Sequence, residues 1–374
     1  MSSTATTLSQ GQLARDLAVR DLTDPGEGAH AIQLLVDAAA ATLAAAWGCQ
    51  VRRHRGPRIV PVEQNYDQLR VSPDAVSRDA RYTRYVDQRR MLRSHSTAMV
   101  PAALRALAAD PVDDVVLVCP GVVYRRDAID RLHTGTPHQL DLWRAARRPL
   151  DRGDLDEMVA LLVRALVPGR EYRWHARVHP YTLGGRQVDV RSEGDWVEVW
   201  ECGLAHPAVL ARAGLAGWSG LAVGMGLDRL LMLRKGIPDI RQLRSTDPRV
   251  AGQMTDLAPY RPVSAMPPIR RDLSVAVEAD AAAEDLGDRV REALGADADA
   301  VEEVAVLAET PYERLPPSAT ARLGMLPGQK NVLVRMVLRR LERTMTDQEA
   351  NLLRDRAYAA LHLGGAAEEA AASR

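Results

Sequence analysis

The chain has 374 residues, 46% of them hydrophobic and 26% charged, and its 49 basic and 49 acidic side chains cancel to a formal net charge of zero. This length exceeds what one compact core usually covers and predicts two domains. The charge balance excludes a uniformly basic protein that binds nucleic acid through a global field. No apolar run is long enough to cross a membrane, and the polar N-terminus lacks the apolar segment of a signal peptide.

Three cysteines, Cys49, Cys119 and Cys202, show no Cys-x-x-Cys spacing, so we expect neither a disulfide framework nor a zinc site. This content fits the reducing cytoplasm. The sequence also contains no phenylalanine. Its basic charge is nearly all arginine, which is typical of GC-rich genomes, and these deplete phenylalanine. A protein that handles phenylalanine, or works when the charged tRNA for it is scarce, would also avoid the residue, and composition leaves both explanations open.

The first part of the chain alternates between helical and strand-like patterns, after residues 1–27, which we interpret as a loose leader. Residues 31–47 place Ile32, Leu35 and Leu43 on one helical stripe that Gly48 ends. Segments 115–118, 188–190 and 196–202 have the character of strands. Segments 154–166 and 221–233 have that of helices, and Gly236 ends the second. We expect one domain over residues 28–245.

A second pattern begins after residues 246–267, which are rich in Pro, Asp, Ser and Thr and which we interpret as an interdomain linker. Apolar residues alternate over 273–277 and 332–338, follow a helical stripe over 286–294 and form a further strand at 301–307. Thr346 and Glu349 have the spacing of a capping box that opens a last helix. This order predicts a ferredoxin-like sandwich over residues 268–364 and a disordered tail over 365–374.

Two polar couples occur around a loop that carries His133. Arg125 and Asp127 are two residues apart, as are Gln139 and Asp141 on the returning segment, so each couple projects from one face if both segments are strands. A charged sheet face is costly unless it binds something. From the residues alone, a solvated face with ion pairs is the simpler explanation.

Several segments, in order along the chain, resemble the phenylalanyl-tRNA synthetases of class II, and in particular the single-chain organellar type. Segments 122–141 and 224–231, the second reading Gly-Met-Gly-Leu-Asp-Arg-Leu-Leu, resemble motifs 2 and 3 of that class. Further matching segments are 91–98, 199–207, 236–240, 268–274 and 341–351. The resemblance covers roughly residues 30–362. It implies an α+β protein in which a class II antiparallel sheet flanked by helices precedes a ferredoxin-fold anticodon-binding domain.

The resemblance further implies ATP-dependent activation of phenylalanine or a related aromatic amino acid, followed by its transfer to tRNA. Arg125 would bind the α-phosphate, and Arg229 would lie across the base or the γ-phosphate from the other side. Asp127 would lie near the adenine and His133 near the outer phosphates. ATP would bring Mg²⁺, for which Glu198 is the candidate ligand. A single-chain enzyme of this type implies a monomer, with a homodimer as the alternative.

The resemblance also assigns the amino-acid pocket, and several of its residues depart from the family pattern. His179 and Tyr181 replace two phenylalanines that pack against the substrate ring, and Glu201 replaces a glycine. Asp141 is one methylene shorter than the family's glutamate. Pro137 replaces the phenylalanine that stacks on adenine, which predicts weaker ATP binding. The implied amino-acid-binding residues are His95, Thr97, Gln139, Asp141, His179, Tyr181, Glu201 and Ala222.

These departures leave alternatives open. An unpaired polar group in an apolar pocket costs about 1–3 kcal/mol. The substrate is therefore either an aromatic amino acid with a ring hydroxyl or similar group, or phenylalanine with the polar atoms of His179 and Tyr181 turned to water. The altered pocket also fits a tRNA-independent paralogue that activates an amino acid for a biosynthetic pathway. Pro137 fits a non-catalytic relative that binds tRNA.

Overall fold

The computed structural model describes residues 7–80, 82–192, 194–263 and 266–365, which fold as two compact units. The first unit comprises the described parts of 1–125, 136–238 and 251–260, and the second comprises those of 126–135, 239–250 and 261–374. Each unit contains a β-sheet with helices packed against it, which is the predicted α+β class.

The described strands of the first unit are β1 (Gln50–Arg53), β2 (Ile59–Pro61), β3 (Arg90–Leu92), β4 (Asp114–Val122), β5 (His138–Ala146), β6 (Tyr172–Ala176), β7 (Thr182–Ser192), β8 (Asp195–Ala205) and β9 (Ser219–Gly226). Seven of them form one sheet in the order β1-β4-β5-β9-β8-β7-β6. Only the β1–β4 pair of this sheet is parallel among the described residues. β2 and β3 form a separate antiparallel ribbon.

The described helices of the first unit are α1 (Gln10–Ala18), α2 (Ala31–Trp47), α3 (Val62–Asn65), α4 (Val100–Ala109), α5 (Arg152–Leu166), α6 (Pro207–Arg212) and α7 (Leu227–Lys235). The prediction of a helix over 31–47 is confirmed. Ile32, Leu35 and Leu43 are buried on α2, which packs against α5. Gly48 ends α2 with a φ of 61°, a left-handed conformation that glycine adopts without a steric cost.

Residues 7–27 are not the loose leader suggested by the sequence. Ser9 and Gln12 form a capping box that opens α1. The apolar side of α1 packs against a buried cluster that includes Tyr124. The Asp16 carboxylate, also on α1, lies 2.5 Å from a guanidinium nitrogen of Arg84, and both side chains are buried. These contacts fix the segment to the first unit.

The predicted helix over 221–233 is two elements. Residues 221–226 belong to β9, and α7 begins only at Leu227 and ends at Gly236, whose φ is 71°. The apolar run from Leu221 to Val223 is a fully buried central strand. Periodicity does not distinguish such a run from a buried helix, which explains the error.

The segment 246–267 is more ordered than a linker would be. It contains α8 (Pro248–Ala251) and the 3₁₀ turn Gly252–Thr255. The buried Lys235 Nζ donates hydrogen bonds to Asp256 Oδ1 at 2.8 Å and to the Ala258 carbonyl at 2.6 Å. Residues 251–260 therefore belong to the first unit.

The second unit contains α9 (Ala283–Leu294), α10 (Pro317–Arg322), α11 (Asp347–Leu361) and an antiparallel sheet of β10 (Ile269–Glu278), β11 (Val301–Pro311) and β12 (Gln329–Leu338) in the order β10-β12-β11. The predicted capping box of Thr346 and Glu349 opens α11. After α11 the chain returns beside β10, where the Leu363 N–H donates to the Ala276 carbonyl at 2.9 Å. Residues 366–374, most of the predicted tail, lie outside the described residues. None of the described helices of either unit has the length and apolar character of a membrane span.

Candidate active site

One face of the seven-stranded sheet carries two carboxylates on either side of a glycine. Asp141 on β5 pairs with Gly224 on β9, and Gly224 pairs in turn with Glu201 on β8. Cross-strand partners project from the same face, so the two carboxylates stand two strand spacings apart, about 10 Å between backbones. A Cβ at Gly224 would lie 3.7 Å from Asp141 Oδ2. The missing side chain therefore leaves a slot, here called the carboxylate slot.

The Asp141 carboxylate is buried and accepts three hydrogen bonds. Ser96 Oγ and Thr97 Oγ1 donate to Oδ2 at 2.5 and 3.1 Å, and Trp143 Nε1 donates to Oδ1 at 3.1 Å. Burial raises the pKa of Asp141 to about 6, although the three donors oppose the rise. At neutral pH the group is therefore mainly an anion, and its donors fix its orientation.

His95 precedes the 3₁₀ turn Ser96–Met99 that supplies two of those donors. Its Nε2 lies 3.4 Å from Asn65 Nδ2, and burial together with the charge of Arg125 lowers its pKa to about 3. The ring is therefore neutral at physiological pH. Gln139 Oε1 accepts a hydrogen bond from the Ser96 N–H at 3.1 Å, which ties the turn to β5.

The polar replacements at positions 179 and 201 contact each other. His179 Nε2 lies 2.8 Å from Glu201 Oε2, and Arg177 Nε donates to Glu201 Oε1 at 3.2 Å. Partial burial raises the pKa of Glu201, but hydrogen bonding and charge from His179, with the charge of Arg177, bring it below its ordinary value. The His179 ring stacks on Tyr181 with centroids 5.7 Å apart. Glu201 is therefore an ionised group held by two basic side chains.

A small cavity opens between these groups. The Ala222 side chain is buried in its wall, in register with Trp143 on β5. The Tyr181 ring lies 6.3 Å from the Trp143 ring, and burial together with the charges of Asp141 and Glu201 raises the pKa of Tyr181, so it stays a phenol. The cavity is lined by Asp141, His179, Tyr181, Thr182, Glu201, Cys202, Ala222 and Gly224.

Arg125 lies three residues beyond the end of β4, in an irregular segment, so the prediction that it sits on a strand is wrong. Its Nε donates to the Ser94 carbonyl at 2.8 Å. Its positive charge helps to lower the pKa of His95 and opposes the rise in the pKa of Tyr181. Both effects require the guanidinium to be close to the cavity.

A β-bulge brings Glu198 onto the same sheet face as Glu201. Trp200 pairs with Val188 and Glu198 pairs with Asp189, so Val199 is the extra residue on β8. Partial burial and the charge of Glu201 raise the pKa of Glu198, while Arg229 opposes the rise. Arg229, on the first turn of α7, therefore favours the ionised form of Glu198.

The start of α7 is anchored to β5 by a buried pair. The His138 N–H donates to Asp228 Oδ2 at 2.5 Å, and His138 Nδ1 lies 3.0 Å from Asp228 Oδ1. The other ring nitrogen accepts a hydrogen bond from the Leu22 N–H at 3.0 Å. Just before β5, the Pro137 carbonyl accepts a hydrogen bond from the Val123 N–H at 2.8 Å. These contacts fix the backbone that carries Arg229.

Asp127 and His133 fall in residues 126–135, which belong to the second unit. Asp127 Oδ1 accepts a hydrogen bond from the Ala128 N–H, and its carbonyl accepts one from Arg291. His133 Nδ1 lies 2.7 Å from Asp130 Oδ2. Burial raises the pKa of Asp130, but the contact with His133 and backbone donors bring it below its ordinary value. Asp130 therefore orients His133.

No group of three or more metal-ligating side chains occurs within the described ranges. Glu198 is a carboxylate on this face whose pKa is raised by partial burial and by the charges of Glu201 and Asp189, with Arg229 and Arg177 opposing the rise. Mg²⁺ is commonly bound through one or two carboxylates together with substrate phosphates and waters. The donor set on this face therefore fits an ion that arrives with a phosphate substrate.

Sequence reasoning missed several residues that complete the site. Trp143 and Ser96 hold Asp141, and Arg177 holds Glu201. Gly224 shapes the slot between the carboxylates. The spacing of Gln139, Asp141 and Trp143 along one strand could have indicated that Trp143 shares their face. The contacts of Ser96 and Arg177 depend on long-range pairing that the sequence does not display.

Comparison with known proteins identifies the family to which the chain belongs. The class II core domain of tRNA synthetases (F) matches residues 23–254. The chain is 30% identical over 312 residues to the chloroplastic/mitochondrial phenylalanine–tRNA ligase of Arabidopsis thaliana, covering 80% of this chain and 68% of that protein. It is 28% identical over 352 residues to a probable mitochondrial phenylalanine–tRNA ligase of Drosophila melanogaster, covering 78% and 73%.

Bacterial relatives match the first part of the chain. The chain is 36% identical over 208 residues to the phenylalanine–tRNA ligase alpha subunit of Prochlorococcus marinus (strain MIT 9313), which covers 55% of this chain and 61% of that protein. The chain is also 36% identical over 200 residues to the alpha subunit of a second strain of this species, NATL2A, and the match covers 58% of that subunit. The chain thus spans about three fifths of the length of these curated relatives.

Proposed function

We propose that this chain activates an aromatic amino acid with ATP and transfers it to tRNA. The chain belongs to the class II tRNA synthetases and, within them, to the phenylalanine–tRNA ligases. The single observation that supports this proposal most directly is the environment of Asp141. Three donors orient one buried carboxylate that lines a small cavity together with Tyr181 and Ala222. An anion in such a place suits a substrate ammonium group.

The amino acid would bind with its ammonium group on Asp141 and its ring between Tyr181 and Ala222. Gln139 and the neutral His95 flank the 3₁₀ turn whose Ser96 and Thr97 hydroxyls donate to Asp141, and they would bind the α-amino and carboxylate groups together with Thr97. Because His95 carries no charge and its Nε2 faces the donor Asn65 Nδ2, its Nδ1 would carry the proton and donate a hydrogen bond to the substrate carboxylate. The substrate carboxylate would then point away from the cavity floor, toward the nucleotide.

ATP would bind between Arg125 and Arg229. Arg125 is held at the Ser94 carbonyl beside His95, and Arg229 is on the first turn of α7, where its charge opposes the rise in the pKa of Glu198. Fixed cations on two sides of the α-phosphate stabilise the charge that develops as the amino-acid carboxylate attacks. Mg²⁺ would be held by Glu198 and the phosphates, and would neutralise the leaving pyrophosphate.

The tRNA would bind through the second unit. Its antiparallel sheet and two packed helices follow the order of a ferredoxin-like fold, the fold expected for an anticodon-binding domain over 268–364. Because that module and the catalytic core at 28–245 are on one chain, we propose a monomer. The three cysteines are free thiols, which supports a cytoplasmic location.

The test combines two assays on the full chain. Pyrophosphate exchange into ATP, run with each of a panel of aromatic amino acids, measures activation alone. Charging of total tRNA with the labelled amino acid measures transfer. We expect both activities; exchange without charging would identify a tRNA-independent activating enzyme, and the absence of exchange with every amino acid would contradict the proposal.

A further inference from the structure

The carboxylate slot has an acidic group at each end, and only one of them is explained by the proposed function. Asp141 would bind the α-ammonium group. Glu201 stands across Gly224 on the same face, and its carboxylate lines the same cavity. Its basic partners His179 and Arg177 compensate only part of the hydration that the carboxylate would lose against an apolar ring. Because Glu201 lines the cavity at the end opposite Asp141, we expect it to contact a polar group of the substrate.

The surroundings of Glu201 show that it is held in place. His179 Nε2 lies 2.8 Å from one carboxylate oxygen and Arg177 Nε donates to the other at 3.2 Å. His179 is itself buried, stacks on Tyr181 and lies 3.4 Å from Thr182 Oγ1 through its other ring nitrogen. A carboxylate can accept about four hydrogen bonds, so two basic partners leave part of its capacity for a ligand.

Resting on the proposed function, we propose that Glu201, positioned by His179 and Arg177, selects an aromatic amino acid whose ring carries a hydrogen-bond donor. The donor is a hydroxyl or an amino group, and it binds the carboxylate at the end of the slot opposite the ammonium site. The walls of the cavity restrict the class to ring substrates, because Tyr181 and Ala222 offer an aromatic face and an apolar surface. Acidic ring substituents are excluded by like charge.

Discrimination by such a group is asymmetric. A site built to hydrogen-bond a substrate hydroxyl rejects the analogue that lacks it far more strongly than an apolar pocket rejects an added group. Phenylalanine would leave Glu201 and its two partners facing a C–H edge. We therefore expect kcat/KM for a hydroxyl- or amino-substituted ring to exceed that for phenylalanine by at least about tenfold.

The experiment is pyrophosphate exchange with phenylalanine, tyrosine, meta-tyrosine and 4-aminophenylalanine, using the wild-type chain, Glu201→Gln and Glu201→Gly. Glu201→Gln keeps the shape and removes the charge, so the preference for the substituted ring should fall by about tenfold or more. Glu201→Gly restores the residue of the family pattern and should make phenylalanine the better substrate. Glu157→Gln is the matched control, because that exposed carboxylate on α5 contacts Trp47 outside the site.

The outcomes separate this inference from the function on which it rests. No exchange with any amino acid contradicts the proposed function itself. Exchange in which wild type prefers phenylalanine overturns only the role of Glu201. An unchanged preference in both Glu201 variants, with exchange retained, also overturns it. A KM effect confined to substituted rings supports a contact with the ring, because a merely structural defect would weaken phenylalanine equally.

Discussion

Asp141 and Glu201 flank Gly224 on one face of the sheet, yet their surroundings shift their pKa values in opposite directions. Burial raises the pKa of Asp141 to about 6, whereas His179 and Arg177 together outweigh partial burial and lower the pKa of Glu201. Two carboxyl groups with different pKa values in one site typically have different chemical roles. We assign Asp141 to the ammonium group and Glu201 to the ring.

Loss of either arginine should remove activation. Arg125→Ala and Arg229→Ala should each lower the rate of pyrophosphate exchange by about 100-fold or more, because each fixed cation stabilises charge on the transferring phosphorus. Arg53→Ala is the control, since that arginine is exposed and pairs with Asp37. Retained exchange in either site variant, with an intact circular dichroism spectrum, would refute the assigned role.

Activation should depend on the ionisation of Asp141. Since the pKa of this group is about 6, kcat/KM for the amino acid should fall toward tenfold per pH unit below pH 6 and level off above it. The measurement is exchange at low substrate concentration from pH 5 to pH 8. In Asp141→Asn, kcat/KM should be low at every pH and should not change around pH 6. A wild-type profile that stays flat across pH 6 would contradict the assignment.

The same group should make stability pH-dependent. The pKa of Asp141 in the folded chain lies above the ordinary value of 3.8. Its contribution to the free energy of unfolding is therefore fully present below about pH 4 and is lost as the pH rises through 6. Relative to Asp141→Asn, the wild type should lose roughly 2–3 kcal/mol of unfolding free energy over that window. Urea unfolding of both proteins at pH 4, 5, 6 and 7 checks this. If the free energies of unfolding of the two proteins change with pH in parallel, the folded protein does not raise the pKa of Asp141.

The N-terminal helix α1 should contribute to global stability. Asp16→Ala removes the carboxylate that lies 2.5 Å from the buried Arg84, and a broken buried ion pair costs about 3–5 kcal/mol. The control Asp37→Ala removes an exposed pair with Arg53 and should cost less than about 1 kcal/mol. Equal midpoints for the two variants in chemical denaturation would mean that residues 7–27 are as loose as the sequence suggested.

The elements best predicted from sequence were those with strong local signals. The stripe of α2 ended by Gly48 and the capping box at Thr346 were both found in place. The same kind of signal, Ser9 followed by Gln12, also opens α1 but was overlooked among polar residues. Strand β9 was missed because a fully buried run carries no period that separates strand from helix.

The site was less predictable than the fold, because its geometry depends on strand register. Asp141, Gly224 and Glu201 are far apart in sequence and meet only through the β5–β9 and β9–β8 pairings. The bulge at Val199, which turns Glu198 onto the same face, has no local signature. Sequence could propose these residues through resemblance, but it could not show that His179 and Glu201 contact each other.

The most direct measurement is a crystal structure of the full chain with an aromatic amino acid and an ATP analogue whose α,β-bridging oxygen is replaced by a methylene group. We predict one bent nucleotide with the guanidinium of Arg125 on its α-phosphate and that of Arg229 on the opposite side, with the ammonium group of the amino acid on Asp141. A nucleotide that contacts only one of these arginines, or an amino acid bound away from Asp141, would contradict the proposed reaction site.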